Sequence, residues 1–247
     1  MNIYFILPAY NESKSIFYLL KDINLLQIKC NNNISCVVID DASSDDTNLW
    51  IKKSKREFNN INILDLKHKT NLGLNNALNT ALKFLSNKIF INDVIVTMDG
   101  DNTHDPSLIF KMIEKHKEGD DLVIASRFLK DSDVKGVSGF RSFLSIMAKL
   151  LYKLFWGFKD INEYTCLYRS HKASLIIKLL KKYEFPYLQQ KGFACTAELL
   201  SKLISLKPKT SEIPIILHYD KKITGSKIKL FLTILITLKI LFFKLNK

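Results

Sequence analysis

Short apolar runs alternate with longer amphipathic segments along most of the chain. Runs with the length and β-branched content of buried strands cover residues 3–7, 34–39, 61–66, 94–98 and 122–125. The segments between them repeat apolar residues at helical spacing, as Ile16, Leu19 and Ile23 do after the first run. This alternation predicts an α/β fold with a mostly parallel, Rossmann-like sheet flanked by helices.

Acidic residues follow two of the predicted strands. Asp40 and Asp41 end the second strand, and Asp99 and Asp101 follow the fourth. Ligands of open parallel sheets bind beyond the carboxyl ends of the strands, so we expect both pairs to face one crevice. A few residues later, Pro106 is placed to open the next helix.

Asp99 and Asp101 have the chemistry of a cation site. With only Gly100 between them, the two carboxylates can share one hard divalent ion, directly or through water. Mg²⁺ or Mn²⁺ suits such oxygen ligands and would bridge a diphosphate. An ordinary acidic turn that caps the following helix has the same pattern, and the pair alone does not choose between the two.

The loop 40–47 has two compatible interpretations. At the strand end, the carboxylates of Asp40 and Asp41 can accept hydrogen bonds from a nucleobase or a ribose. Further along the loop, Asp46 or Thr47 can cap the next helix. Both interpretations can hold together.

Length, charge and cysteine content bound the class of protein. At 247 residues, 47% of them hydrophobic, the chain can form one large α/β domain, residues 1–220, with a small basic and hydrophobic appendage, residues 221–247. The formal net charge of +13 favours an anionic partner such as nucleic acid, a phosphate-bearing ligand or an acidic membrane face. The four cysteines lack zinc-ligand spacing and no leader pattern precedes the first strand, so we expect free thiols and a cytoplasmic location.

A basic row and many large apolar residues share the segment 141–158. The row consists of Arg141, Ser145, Lys149 and Lys153, which recur every four residues. A buried helix with one solvated stripe has this pattern, and so does a helix that contacts a membrane.

The segment 230–243 is nearly all apolar. It is shorter than the ~20 residues that a spanning helix needs. We therefore expect an amphipathic, hydrophobic C-terminal helix in the membrane interface, with Lys229, Lys244 and Lys247 reaching anionic headgroups. Packing against another helix, or against a second subunit in a homo-oligomer, is the alternative.

Several motifs together resemble one enzyme family. Four of them are Pro8-Ala9-Tyr10-Asn11-Glu12, the acidic loop 40–47, Asn71-Leu72-Gly73-Leu74 and Asp99-Gly100-Asp101. In order and spacing, these resemble family-two glycosyltransferases with the GT-A fold. Ser126-Arg127-Phe128, Arg141 with Ser145, and the segments 164–169, 212–214 and 225–227 are similar to the dolichol-phosphate mannose synthase branch, so the resemblance covers nearly the whole chain.

The resemblance implies an activity and a set of site residues. It implies transfer of a hexose, mannose or glucose, from a GDP- or UDP-linked sugar to a polyprenyl phosphate (dolichyl or undecaprenyl), by an enzyme peripheral on the cytoplasmic face of a membrane. The nucleotide sugar would bind Pro8, Tyr10, Glu12, Asp40, Asp41, Asp99 and Lys221. Mg²⁺ or Mn²⁺ would bind Asp99 and Asp101, and the acceptor phosphate would bind Arg127, Arg141 and Ser145. The catalytic residues would be Asp99, Asp101, Arg127 and Arg141.

The chain departs from the usual pattern of these enzymes at four positions. Glycine, aspartate, glycine and arginine are usual where this chain has Asn75, Glu163, Leu167 and Lys221. The bulk of Leu167 is expected to reshape the pocket beneath Arg169. A single in-line displacement would invert the anomeric configuration, with Lys221 or Lys227 adding positive charge near the departing diphosphate.

Other proteins share parts of the pattern. A transferase of the same fold with a glycan acceptor is the nearest alternative. The segment 99–103 also fits the DxDxT motif of haloacid-dehalogenase-like phosphatases, but that motif normally begins its domain, and here three strand-helix units come first. The basic charge suits a nucleic-acid-binding protein, but the tail lysines alternate with aliphatic residues rather than stacking aromatics, so we expect no nucleic acid.

The five histidines form no cluster in the sequence, and most are expected at the surface or at helix ends. His171, for example, is expected to begin a helix. His104 differs, because it follows the acidic motif and can contact a diphosphate or complete a metal site.

Overall fold

The computed structural model describes residues 1–137, 139–158 and 160–221. The side chains of Phe140, Arg141 and Lys221 are outside this description. The predicted C-terminal interfacial helix, with Lys227 and the tail lysines beyond Lys221, lies outside the described residues.

Seven strands of the described chain form the central sheet, in the order β3-β2-β1-β4-β7-β5-β8. β7 is antiparallel to both of its neighbours, and the other strands are parallel. Their bounds are β1 Asn2–Ala9, β2 Asn33–Asp40, β3 Asn62–Lys67, β4 Val94–Thr97, β5 Leu122–Ser126, β7 Arg169–Lys172 and β8 Thr210–Pro214. A separate parallel pair joins β6 Asp133–Lys135 to β9 Ile216–His218.

Helices cover both faces of the sheet. Their bounds are α1 Ser13–Ile28, α2 Thr47–Glu57, α3 Leu74–Leu85, α4 Ile109–Lys117, α5 Gly139–Trp156, α6 Ala173–Lys182 and α7 Ala194–Ile204. One core cluster contains apolar residues of α1, α2 and α4, and the other contains those of α3, α5, α6 and α7. Alternate residues of β1 pack into the two cores: Phe5 and Leu7 lie in the first and Ile6 lies in the second.

The predicted α/β architecture is confirmed. All five apolar runs are strands, β1 to β5, and the sheet is mostly parallel. Pro106 begins a 3₁₀ turn, Pro106–Leu108, that leads directly into α4, and Asp105 Oδ1 caps this turn by accepting from Ser107 N at 2.8 Å.

The prediction that His171 begins a helix is wrong. His171 lies in β7, and α6 begins at Ala173. His171 is also fully buried, whereas His116, although buried, lies in the last turn of α4, a helix-end position as expected. β7 contains no apolar run, because its side chains are polar, although Arg169, Ser170 and His171 are all fully buried.

Candidate active site at the carboxyl edge of the sheet

The topology brings the two acidic clusters to the same edge of the sheet. β1 lies between β2 and β4, and the chain leaves it toward β2 first and returns to its other side with β4. Ala9 pairs with Asp40, and Ile6 pairs with Thr97, so the three parallel strands end close together. Such a reversal of strand order is the usual ligand position in open α/β sheets.

Gly100 lets the acidic motif lie directly against the end of β1. A Cβ atom at this position would lie 2.7 Å from the backbone oxygen of Pro8. Asp101 is buried, and its Oδ1 accepts from the backbone N of Thr103 at 3.2 Å and from Thr103 Oγ1 at 2.7 Å. Asp99 is half-buried. The position of the motif is therefore fixed by the backbone contact of Gly100 with β1 and by the hydrogen bonds between Thr103 and Asp101.

The donor set at Asp99 and Asp101 fits a hard cation. Among the described residues there is no cluster of three or more His, Cys, Asp or Glu side chains arranged to hold a metal. Two adjacent carboxylates are nevertheless the usual protein contribution to Mg²⁺, which takes its remaining ligands from substrate phosphates and water. Asp99 and Asp101 offer that contribution, since both are oxygen donors at the sheet edge.

Asp40 presents a buried acceptor. The residue is 1% exposed, and its Oδ1 accepts from Ser43 N at 2.9 Å. Its Oδ2 has no hydrogen-bond donor within the described part of the chain, and Lys67 Nζ lies 3.7 Å from it. A buried carboxylate oxygen without a donor is unfavourable, and an N–H or O–H group of a ligand would relieve it. An open depression beside it is lined by Ala42, Ser43, Lys67, His68 and Lys69.

Asp41 has a different environment from Asp40. Its Oδ1 lies 2.7 Å from His68 Nδ1 and accepts from Leu72 N at 2.9 Å, and its Oδ2 accepts from Gly73 N at 2.7 Å. Gly73 has a φ of +86°, which suits glycine. The carboxylate thus anchors the loop before α3, and any contact of Asp41 with a nucleotide stays a prediction.

The loops after β1 and β2 are hydrogen-bonded to each other. Asn11 N donates to Ser43 Oγ at 2.9 Å, and Glu12 N donates to Thr47 Oγ1 at 2.8 Å. Glu12 is buried, whereas the neighbouring Tyr10 is 37% exposed. The two loops therefore form one surface, on which Tyr10, Ser44, Asp45 and Asp46 are exposed.

The predicted cap of α2 needs a correction. Asp46 occupies the N-cap position, but its side chain makes no capping hydrogen bond. The preceding carboxylate does so instead, since Asp45 Oδ1 accepts from Thr47 N at 3.0 Å. The same carboxylate reaches Ser13 N at 3.3 Å, so it serves the starts of two helices at once.

Left-handed backbone conformations mark all three of these loops. Asn11, Ala42 and Asn102 have φ values of 52°, 58° and 61°. Each costs about 1 kcal/mol in a non-glycine residue. Their concentration after β1, β2 and β4 is typical of a functional edge.

Arg127 and Glu163 form a bidentate ion pair. The guanidinium Nε donates to Glu163 Oε2 and its Nη2 donates to Oε1, both at 2.7 Å, and Nη2 also reaches Thr165 Oγ1 at 2.7 Å. Burial alone would raise the pKa of Glu163, but the charge and hydrogen bonds of Arg127 and the backbone N–H groups of Thr165 and Cys166 lower that pKa to about 2. Burial also opposes the charge of Arg127, but Glu163 outweighs it and raises the Arg127 pKa.

Two further residues hold the segment that carries Glu163. Glu212, on β8, accepts from the backbone N of Asn162 at 2.8 Å and of Glu163 at 2.7 Å. The fully buried Arg169 donates to the carbonyl oxygens of Tyr164 at 2.8 Å and Thr196 at 2.7 Å. Both lie in motifs that the sequence analysis noted, but their positioning role required the structure.

His104 joins the acidic motif to this segment. Its Nδ1 lies 3.4 Å from Thr103 Oγ1, its Nε2 lies 3.8 Å from Cys166 Sγ, and its ring packs edge-on against Tyr168. This placement favours a role in holding two loops together. Leu167 is also buried, and its side chain fills the core rather than an open pocket.

The remaining predicted residues lie on α5 and at the last described turn. Ser145 is half-buried on α5, and the side chain of Arg141 is outside the described residues. Lys221 ends the 3₁₀ turn Tyr219–Lys221, with its side chain also outside the description. Large apolar side chains of α5 are exposed: Phe143, Ile146, Met147, Leu150 and Leu154.

The fold is that of the GT-A glycosyltransferases. A crystal structure of glucosyl-3-phosphoglycerate synthase from Mycobacterium tuberculosis with Mn²⁺, UDP and glucosyl-3-phosphoglycerate has a similar fold, with a TM-score of 0.62 at 17% identity over 97% of this chain and 77% of that one. The family model for glycosyl transferase family 2 matches residues 4–178. The chain belongs to this family and is a glycosyltransferase.

Relatives with named activities include two mannosyltransferases. A dolichol-phosphate mannosyltransferase of Pyrococcus furiosus is 33% identical over 59% of this chain, which spans only 38% of that protein. An undecaprenyl-phosphate mannosyltransferase of Micrococcus luteus is 25% identical over 87% of this chain and 83% of its own length. Within the described residues, no helix combines the length and the hydropathy needed to cross a bilayer.

Proposed function

We propose that this glycosyltransferase moves a hexose, mannose or glucose, from a GDP- or UDP-linked sugar to a polyprenyl phosphate at the cytoplasmic face of a membrane. The observation that carries the proposal is the similarity to the undecaprenyl-phosphate mannosyltransferase, which extends over most of both chains. The acidic edge and the exposed apolar face of α5 are consistent with the two substrates.

The donor site is assigned to the ends of β1, β2 and β4. Oδ2 of Asp40, which receives no hydrogen bond from the described residues, is suited to accept one from a nucleobase or a ribose. Asp99 and Asp101 would hold Mg²⁺ or Mn²⁺, which neutralises charge on the departing diphosphate when bound. Tyr10 is exposed at the same edge, where it can pack on the nucleotide.

The acceptor needs orientation more than activation. A phosphate monoester is already anionic near neutral pH, so it attacks the anomeric carbon with little help from a general base. Arg127, held in one orientation by Glu163, is proposed to position this phosphate with Arg141 and Ser145. Attack from the side opposite the diphosphate inverts the anomeric configuration.

The test is transfer of labelled sugar by the purified protein. GDP-mannose, GDP-glucose and UDP-glucose are each incubated with polyprenyl phosphate vesicles and Mn²⁺ or Mg²⁺, and label in the organic phase is counted. We expect metal-dependent label that Asp101→Asn abolishes and that Glu114→Gln, an exposed acid on α4, retains.

Two results would contradict parts of the proposal. Binding of a sugar nucleotide without any transfer to lipid would exclude the acceptor class while leaving the family assignment intact. A lipid product that keeps the donor's anomeric configuration would exclude the single in-line displacement.

A further inference from the structure

Of the three residues proposed above for the acceptor phosphate, Arg141 is the one that adds net positive charge. Arg127 is neutralised by Glu163, with two hydrogen bonds of 2.7 Å between them, and Ser145 is uncharged. A phosphate monoester carries roughly −1.5 to −2 near pH 7. This charge exceeds the single positive charge of Arg141, so holding such a group beside the neutral Arg127–Glu163 pair calls for another cation.

Lys149 lies in the right place to supply that charge. Its Nζ is 4.6 Å from the centroid of the Phe128 ring, and the Cζ atom of Arg127 is 5.6 Å from the same centroid. One aromatic ring is thus shared by two cations from different elements, the turn after β5 and the middle of α5. Among the described residues, no carboxylate forms an ion pair with Lys149.

The helix places Lys149 at a boundary of two surfaces. Tyr152 and Trp156, on the inner side of α5, are buried, while Leu150 and Leu154 are 53% and 77% exposed. Lys149 is half-buried between these two sides and follows Ser145 by one turn. A lipid phosphate has the same arrangement, a compact anion joined to an apolar chain.

Resting on the proposed function, we propose that Lys149 binds the phosphate of the polyprenyl acceptor, with Phe128 holding its ammonium beside Arg127. The cation–π contact limits where the ammonium can move, so its charge stays near the Arg127–Glu163 pair. The neighbouring apolar face of α5 then receives the first prenyl units.

The first experiment compares Lys149→Gln, Lys149→Arg and Lys153→Gln with the wild type. Lys153 is the matched control, because it lies one turn further along the same helix and is exposed. A short, water-soluble prenyl phosphate is used without vesicles, so that general attraction to an anionic surface does not contribute. KM is measured separately for acceptor and donor, and thermal unfolding is followed for each variant.

We expect Lys149→Gln to raise the acceptor KM by about tenfold or more, the loss typical of one charge-assisted hydrogen bond. The donor KM and the melting temperature should stay close to wild type, Lys149→Arg should recover most of the loss, and Lys153→Gln should change little. An acceptor KM for Lys149→Gln within about twofold of wild type, or an equal loss in Lys153→Gln, would overturn the proposal.

Direct binding separates this proposal from the proposed function. The affinity of the same prenyl phosphate is measured by calorimetry for the wild type and Lys149→Gln in the presence of nucleoside diphosphate. Weaker binding to Lys149→Gln supports the site even if no sugar is transferred. Equal binding to both proteins rejects Lys149 as a ligand even if transfer occurs, and no binding to either rejects both proposals.

Discussion

Glu163 is a fully buried carboxylate at the centre of the candidate acceptor site. It is held by Arg127 and by the backbone N–H groups of Thr165 and Cys166 at 3.0 and 2.9 Å. A buried ion pair adds little stability over apolar residues, but removing one partner leaves the other charge unpaired. The pair therefore serves to orient Arg127, and its loss should affect stability and acceptor binding together.

Replacing Glu163 should change how stability depends on pH. Its pKa is about 2 in the native protein against an ordinary value of 4.5, so between these pH values the unfolded chain binds a proton that the native protein does not. The stabilisation is full above pH 4.5 and is lost as the pH falls toward 2. We expect Glu163→Gln to lower the free energy of unfolding by ~3 kcal/mol at pH 7 and by progressively less in acid.

Urea unfolding of both proteins at several pH values between 7 and 3 measures this difference. The control is Glu118→Gln, which removes an exposed ion pair with Lys115 and should change the stability little at any of these pH values. A difference between wild type and Glu163→Gln that does not shrink in acid would contradict the assigned pKa.

Gly100 is required by the close approach of two backbones. Gly100→Ala would place Cβ 2.7 Å from the Pro8 oxygen, so the acidic motif must move away from β1. We expect a loss of ~1–3 kcal/mol in stability and a donor affinity at least about tenfold weaker, measured by urea unfolding and calorimetry. Gly139→Ala is the control, because a Cβ there meets no atom within 4 Å, and the prediction fails if the two variants behave alike.

At the scale of single elements, α5 is buried on one side and exposes apolar residues on the other. The sequence alone had left a buried helix and a membrane-contacting helix as alternatives. The inner side of α5 is buried, with Tyr152 and Trp156 packed against Tyr164. Its outer side exposes a row of large apolar residues. An apolar surface of this kind is unusual on a soluble domain unless it binds something. The helix is therefore both a core element and a candidate membrane-contacting surface.

Two substitutions test the outer side of α5. Phe143 and Leu150 are 57% and 53% exposed, and each inserted apolar side chain contributes on the order of 1 kcal/mol to membrane binding. The double variant Phe143→Gln with Leu150→Gln should bind anionic vesicles about tenfold or more weakly in a sedimentation assay.

The matched control replaces two exposed apolar residues elsewhere. Phe90 and Ile91, 71% and 65% exposed, lie in the turn before β4, at the end of that strand remote from the acidic motif. Their double replacement by Gln should leave vesicle binding unchanged. Equal losses in the two double variants would show that general hydrophobicity, rather than α5, determines binding.

At the scale of the whole molecule, the proposed donor site is assembled from three strand ends. A ligand that binds only this assembly stabilises the native state, by about 2.7 kcal/mol at one hundred times its Kd. For a chain of this size, that corresponds to a rise of roughly 5–10 °C in Tm. We expect GDP or UDP with Mn²⁺ to produce such a rise, measured by differential scanning fluorimetry.

Metal removal provides the comparison. EDTA should reverse most of the nucleotide-induced rise in Tm of the wild type. The rise for Asp101→Asn should be small even with Mn²⁺, and about equal to the rise that the wild type shows in EDTA. Glu114→Gln should respond like the wild type. A nucleotide-induced rise that is the same with EDTA and with Mn²⁺ would exclude a metal-bridged diphosphate.

The buried strand β7 could not be predicted from the hydrophobicity of the sequence. The apolar runs identified β1 to β5 because each of these strands buries apolar side chains, and the periodic helices followed from the same pattern. β7 contains Arg169, Ser170 and His171, whose polar side chains are typical of a loop. Only its pairing with β4 and β5 and the partners of Arg169 explain why these residues are inside.

The sequence by itself determined the α/β alternation, the positions of the acidic clusters at strand ends and the family motifs, because these depend on local periodicity and spacing. Only the tertiary structure decided which role each residue has, because those roles depend on contacts between residues that are far apart in the chain. Asp40 has a buried carboxylate oxygen that receives no hydrogen bond from the described residues, while Asp41 anchors a loop. Glu163 neutralises Arg127, 36 positions away in the sequence. Such roles depend on distance, burial and hydrogen-bond partners, and these quantities exist only once the strands are paired and the loops are packed together.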